Sequence, residues 1–105
     1  MASQVEIFKA LANDARLDIL KWLGEPDRYF IEPAKHATEE VRNAGGVCVR
    51  DIHEKANMSQ STVSHYLQIL QRAGLVESER VGQWTYYRRN EETMKKIAHF
   101  ISEEL

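Results

Sequence analysis

Between Ser59 and Gly74 the apolar side chains Val63, Tyr66, Leu67 and Leu70 fall at i, i+3, i+4 and i+7, the spacing of one helical face. An extended chain would split these four between opposite sides, so the segment is constrained to helix. Its faces are then assigned. The stripe turns to a core, and Gln60, Ser61, Ser64, His65, Gln68 and Arg72 turn outward. Ser59 is placed to cap the start, and Gly74 ends the helix after about Ala73. From Lys55 to Val76 there is no Asp or Glu, although the chain carries 16 acidic against 14 basic side chains.

Upstream, VRDIHEKA sets Val49, Ile52 and Ala56 on one helical face, and Asn57-Met58 makes a short break before Ser59. This is helix, tight turn, helix over residues 47–73. Downstream, LVESER and WTYYRR alternate on either side of VGQ, the pattern of two antiparallel strands joined by a glycine-containing turn over 75–89. A hairpin directly after a helix-turn-helix is a wing.

The remainder reads as scaffold. Ser3 and Glu6 have capping-box spacing ahead of a first helix over 4–12, with Val5, Phe8, Leu11 and Ala12 on one face. Asn13-Asp14 opens a second helix whose Leu17, Ile19, Leu20 and Leu23 are expected in the core, and Gly24 stops it. Residues 24–46, with Pro26, Pro33 and Gly45-Gly46, read as an extended connection holding a short helix over about 34–43. The last helix, 91–104, carries Met94, Ile97, Ala98, Ile101 and Leu105 as a stripe. A terminal helix beyond a finished winged core has little of its own chain left to cover. Pairing with the first helix across a two-fold axis is therefore expected, with Val5, Phe8, Ala12, Met94, Ile97 and Ile101 at the interface.

Length and composition bound the alternatives. A chain of 105 residues suits a single domain over 1–105. The absence of a long apolar run or a secretion signal points to a soluble, cytoplasmic protein without membrane contact. One cysteine, Cys48, closes no disulfide within the chain and suits a reducing compartment. The net charge of −2 does not by itself announce nucleic acid. Its distribution does: residues 59–89 set Arg72, Arg80, Arg88 and Arg89 against only Glu77 and Glu79.

An α-helix fits the major groove of double-stranded DNA, where amide and hydroxyl side chains match base edges and phosphates repel carboxylates. The acid-free outward face therefore identifies Ser59, Gln60, Ser61, Thr62, Ser64, His65, Gln68 and Arg72 as candidate DNA-binding residues, joined by Gln83 and Arg88 from the wing. Arg80 and Arg89 are further candidates for phosphate, and the helix N-terminus at Ser59 offers backbone donors to another.

These residues resemble a known family. SQSTVSHYLQILQRAGLVESERVGQWTYYRRN, with FKALANDARLDILKWL and VCVRDI, is similar to the ArsR/SmtB family of bacterial winged helix-turn-helix repressors over residues 5–24 and 46–104. The resemblance implies a mainly α fold with a small antiparallel β-hairpin, dimerising through its first and last helices. It also implies a homodimer on a pseudo-palindromic operator, released by a metal or another small effector whose identity it leaves open. Tyr66 stands where many members have His, and residues 25–45 exceed the usual connection. The arsenic-sensing pattern Cys-Val-Cys-Asp-Leu is here Cys48-Val49-Arg50-Asp51-Ile52, with arginine in place of the second thiol. The zinc-sensing pairs of the last helix are not reproduced by Glu91, Glu92, Thr93, His99 and Glu103. No metal site and no resident cofactor are expected. The alternative function is a constitutive regulator or protein-interaction module of the same fold with no sensor.

Cys48 carries two readings: a small buried hydrophobe between Val47 and Val49, and a sensor thiol near a helix N-terminus beside Arg50. Ser61 and His65, one turn apart, have nucleophile-and-base spacing but no evident third group, so an enzyme is not expected. Trp84, Tyr86 and Tyr87 are expected to pack on the core rather than to stack on single-stranded bases.

Overall fold

A computed structural model describes residues 2–105. Helix α1 (Gln4–Leu11) begins where the Ser3 hydroxyl accepts from the Glu6 N–H at 3.2 Å and ends one residue before the expected Ala12. Asn13 then accepts from the Arg16 N–H at 2.9 Å and starts α2 (Asp14–Gly24). The Arg16 side chain turns back on α1, donating to the Ala10 and Lys9 carbonyls at 2.6 and 3.2 Å. Those carbonyls belong to the last turn of α1; Lys9 also accepts from the Ala12 N–H at 3.2 Å, and the guanidinium supplies the donor that the Ala10 carbonyl would otherwise lack. Ile19, Leu20 and Leu23 are buried as expected, but Leu17 is 46% exposed and leaves the expected core set.

The connection is more structured than its sequence suggests. A one-turn helix α3 (Pro26–Tyr29) starts on Pro26, whose fixed φ suits the first helical position. Helix α4 (Glu39–Asn43) is shorter than the expected 34–43 and starts where Thr38 accepts from the Val41 N–H at 3.3 Å. Ala34 and Val41 are buried against Cys48 and Tyr86 in a small second core.

Strand β1 (Val47–Cys48) replaces what was expected to be the start of a helix. It pairs antiparallel with β3 (Trp84–Arg89), Val47 opposite Tyr87 and Cys48 opposite Tyr86, while β2 (Val76–Val81) pairs with the other edge of β3. The expected hairpin is thus part of a three-stranded sheet of order β1-β3-β2. Its turn is Gly82-Gln83, and Gly82 takes φ +62 as the first central position of a tight II′ turn requires. Helix α5 (Val49–Ala56) ends on Asn57 at φ 53, and α6 (Gln60–Arg72) follows. The main core joins Ile19 and Leu23 of α2, Ile52 of α5, Val63, Leu67 and Leu70 of α6, and Val47, Leu75 and Val76 at the sheet. Helix α7 (Glu91–Glu104) is capped by Asn90, which accepts from the Thr93 N–H at 3.2 Å. Among the described residues no helix is long and apolar enough to cross a membrane.

Candidate nucleic-acid interface

The turn into α6 is held from both sides. His53 Nδ1 donates to the Met58 carbonyl at 2.7 Å, and Ser59 Oγ accepts from the Thr62 N–H at 3.2 Å while donating to Thr62 Oγ1 at 2.8 Å. No acidic residue occupies the first turn, so the partial positive charge of the helix start is uncompensated by its own side chains. Val63, Leu67 and Leu70 are fully buried, and that anchors the rotation of the helix. Gln60, Ser61, His65, Gln68 and Arg72 are exposed, with Thr62 and Ser64 half-buried beside them. The expected recognition face is therefore assembled on one side of α6. Tyr66, expected in the core stripe, sits at its margin with the Arg16 guanidinium 5.3 Å from its ring centroid. Its phenol stays partly in solvent because only the ring has an apolar surface to cover. Ser61 Oγ lies 3.2 Å from Ser59 Oγ, and the His65 ring is tilted against Tyr66 at 6.3 Å. Those contacts are the cap and a helix-surface neighbour, not a nucleophile with its base.

The wing joins this surface through Gln71 Nε2, which donates to Ser78 Oγ at 3.1 Å. Gln83 is exposed at its tip. The arginines are differently placed from what their sequence positions suggest. Arg80 Nε donates to the Gly82 carbonyl at 2.9 Å, and Arg88 lies 3.7 Å from Glu77, its partner across the β2–β3 register. Arg89 holds Glu91 in two hydrogen bonds of 2.7 Å. That bond holds the Glu91 carboxyl below the usual carboxylate range and raises the Arg89 pKa further. A Cβ at Gly24 would run into the Arg89 guanidinium, so a glycine at the end of α2 makes room for it. Arg89, expected at phosphate, thus ties β3 to α2 and α7. Arg72 has no hydrogen-bond or ion-pair partner among the described residues.

The wing aromatics pack. Trp84 stacks on His36 at 4.9 Å and 11°, Tyr86 is buried in the small second core, and Tyr87 packs on the main core, where burial pushes its pKa up. Cys48 is buried. Among the described residues no three His, Cys, Asp or Glu groups converge as metal ligands. On the terminal helices Val5, Ala12 and Ile101 are exposed, and Phe8 and Met94 are half-buried. Ile97 is only 5% exposed, so it serves the protomer's own core rather than a free interface. Phe8 meets Phe100 at 6.1 Å, which joins α1 to α7. Phe100 extends the same apolar surface and was absent from the expected set.

A family model described as bacterial regulatory protein, arsR family, matches residues 41–78. The HTH-type transcriptional regulator YbzH of Bacillus subtilis is 52% identical over 96% of this chain and 97% of its own length. The arsenical resistance operon repressor of Bacillus subtilis is 34% identical over 93% of this chain and 73% of its own. A homodimeric winged helix-turn-helix DNA-binding domain from Mycobacterium bovis, solved by NMR, is similar with a TM-score of 0.64 at 32% identity, covering 96% of this chain and 80% of that one.

Proposed function

The chain belongs to the ArsR family of bacterial regulatory proteins, and from that membership we infer that it is a homodimeric transcriptional repressor of a pseudo-palindromic double-stranded DNA operator, released by a small effector. The observation that carries the reading is the outward face of α6. A capped helix with no carboxylate in its first turn presents Gln60, Ser61, Thr62, His65 and Gln68 together, and such a helix enters the major groove with its N-terminal residues on base edges. Gln and Ser supply donors and acceptors for those edges, and Arg72 supplies a charge for the backbone. Ser59 and Ser64 offer hydroxyls to the phosphates beside the helix, and Gln83 adds an amide from the wing tip. The whole of 1–105 acts as one domain, with 47–73 as reader, 75–89 as wing and 91–104 as the dimerisation helix.

Dimerisation rests on the apolar surface left on α1 and α7. Val5, Ile101 and Leu105 are exposed there, next to the Phe8–Phe100 contact, and a two-fold axis through them would set two α6 helices on half-sites one helical turn apart, about 34–36 Å. Titration of the full chain onto labelled DNA from upstream of its own gene, against a shuffled duplex at several salt concentrations, tests the reading. The expected result is a preference of at least about 10³ for the genuine site. Equal affinity for both duplexes at every salt concentration would overturn it.

A further inference from the structure

Helix α5 leads directly into α6, yet it is lightly anchored. Of its residues only Ile52 is fully buried, with Val49 and Ala56 partly covered, and Cys48 at its N-cap makes no side-chain capping bond. The turn beyond it is set by Asn57 in the left-handed region, at φ 53, and by the His53 bond to the Met58 carbonyl. A helix held by one buried side chain is free to tilt about it, and a tilt at its end passes through that short turn to the start of α6.

Lys55, in the last turn of α5, supplies a second anchor. Its ammonium lies 5.3 Å from the ring centroid of Trp22, 5.4 Å from that of Tyr29 and 5.9 Å from that of Phe30. All three distances are within the reach of a cation–π attraction. The rings come from α2, from α3 and from the residue after it, so they gather the end of α2 and the start of the long connection around one charge. Phe30 is buried, and Trp22 and Tyr29 pack partly on the main core, which builds the box independently of the lysine. Lys55 is exposed and forms no ion pair among the described residues. Its charge is met by rings and water.

We propose that Lys55 is a positioning residue for α6: its ammonium, seated among Trp22, Tyr29 and Phe30, ties the end of α5 to α2 and the connection and so fixes the turn from which α6 starts. The opening of the long connection thereby helps to set the reading helix. Consequences for DNA rest on the repressor reading; the contact and its hold on the turn do not.

The test is a double-mutant cycle on the full chain. Lys55→Met keeps an unbranched stem and removes the charge, Trp22→Leu removes a ring, and Lys55→Arg is the conservative control, since a guanidinium serves such a site as well as an ammonium. In urea unfolding without DNA, Lys55→Met should lower the folding equilibrium about two- to fivefold, the range of a cation–π contact at an exposed site. That effect should fall by about half in the Trp22→Leu background. The amide resonances of Ser59 to Val63 should shift in Lys55→Met and Trp22→Leu alike and stay in place in Lys55→Arg, a signature that a merely stabilising contact would not give. On the operator, Lys55→Met and Trp22→Leu should each weaken binding about two- to fivefold with an unchanged salt slope, and Lys55→Arg should bind as the parent does. Should Trp22→Leu not fold, Tyr29→Leu replaces it; Arg28 also lies over that ring, at 5.2 Å, and the cycle isolates the share of Lys55. The proposal is overturned by an additive cycle, by resonances of Ser59 to Val63 that stay in place in Lys55→Met, or by operator binding as tight as the parent's. A salt slope that falls by about one in Lys55→Met alone would overturn it too, by making Lys55 a phosphate contact. A chain that couples and shifts as expected but shows no operator preference would retire the repressor reading and leave the clamp on α5 standing.

Discussion

Helix α6 and the wing lie side by side and are both polar and solvent-facing, yet their polar groups are in opposite states. On the outward face of α6 Gln60, His65, Gln68 and Arg72 have no hydrogen-bond partners among the described residues, while Gln71 at its edge is engaged with Ser78. The wing's arginines are engaged, Arg80 with the Gly82 carbonyl, Arg88 with Glu77 and Arg89 with Glu91. A free amide loses only water when it meets a base edge. A paired arginine must first give up a carboxylate, which then stands beside the phosphate. The difference teaches that exposure does not measure availability. On the repressor reading proposed above, base readout would fall to α6 and the wing would take a weaker, more salt-sensitive supporting role.

The largest effect should come from halving both surfaces at once. Ile101, 49% exposed on α7, becomes a buried carboxylate facing its mate if Ile101→Glu is placed at the proposed two-fold axis. The variant should sediment as a monomer, keep its helical circular dichroism and fall toward non-specific affinity, about 10⁻⁴ to 10⁻⁶ M. A variant that stays dimeric, or a monomer that still binds its operator tightly, would show that the terminal helices serve another purpose.

Next comes the asymmetry itself. Gln60→Ala should lose about 1–3 kcal/mol on the operator and relax the preference at one base pair, with little change in the salt slope. Replacing Gln60, Ser61, Thr62 and His65 together should abolish operator preference. If these variants only steepen or flatten the salt dependence, α6 touches phosphates and the comparison is inverted.

How much of this was legible in the sequence follows the range of the forces involved. Helix α6 was, because its cap, stripe and stop are local. The wing was as well, as two strands joined by a glycine-containing turn over VGQ, but Val81 belongs to β2, and the two-residue length that sets Glu77 opposite Arg88 shows only in the paired strands. Strand β1 was not: two apolar residues carry no period, and Val47-Cys48 is extended only because β3 offers an edge to pair with. Leu17 had the right spacing for a core residue, yet α2 needed only Ile19, Leu20 and Leu23 to cover its inward side. The pairing of Arg89 with Glu91, and the room Gly24 leaves for that guanidinium, join three elements and depend on how they dock. The small second core is still less local, since Ala34, Val41, Cys48 and Tyr86 meet only after the sheet has formed.

A smaller effect tests the engaged state of the wing. Glu77→Gln removes the carboxylate facing Arg88 at 3.7 Å and frees that guanidinium for a phosphate. Affinity should rise by less than about 1 kcal/mol, the usual range of an exposed pair, on operator and shuffled DNA alike. The salt slope should steepen by about one unit. A gain confined to the operator would mean that Arg88 reads sequence.

The smallest effect separates Arg89 from its neighbours. Its two 2.7 Å bonds to Glu91 hold the carboxyl below the usual range. A depressed folded-state pKa means that the pair's contribution is present above the unfolded carboxylate's value, about 4.3, and is lost as pH falls through the lower folded value. Glu91 has 57% of its side chain exposed, so solvent screening limits that contribution to about 0.5 kcal/mol. Glu91→Gln should therefore lower the urea midpoint slightly at pH 7, and the gap from the parent should close as the pH drops below 4. The decisive reading is on DNA. If Arg89 ties β3 to α2 and α7, as its place beside Gly24 indicates, Glu91→Gln leaves affinity and salt slope unchanged. An increase in both, matching that of Glu77→Gln, would make Arg89 a phosphate contact held in reserve, and the wing would then differ from α6 in degree rather than in kind.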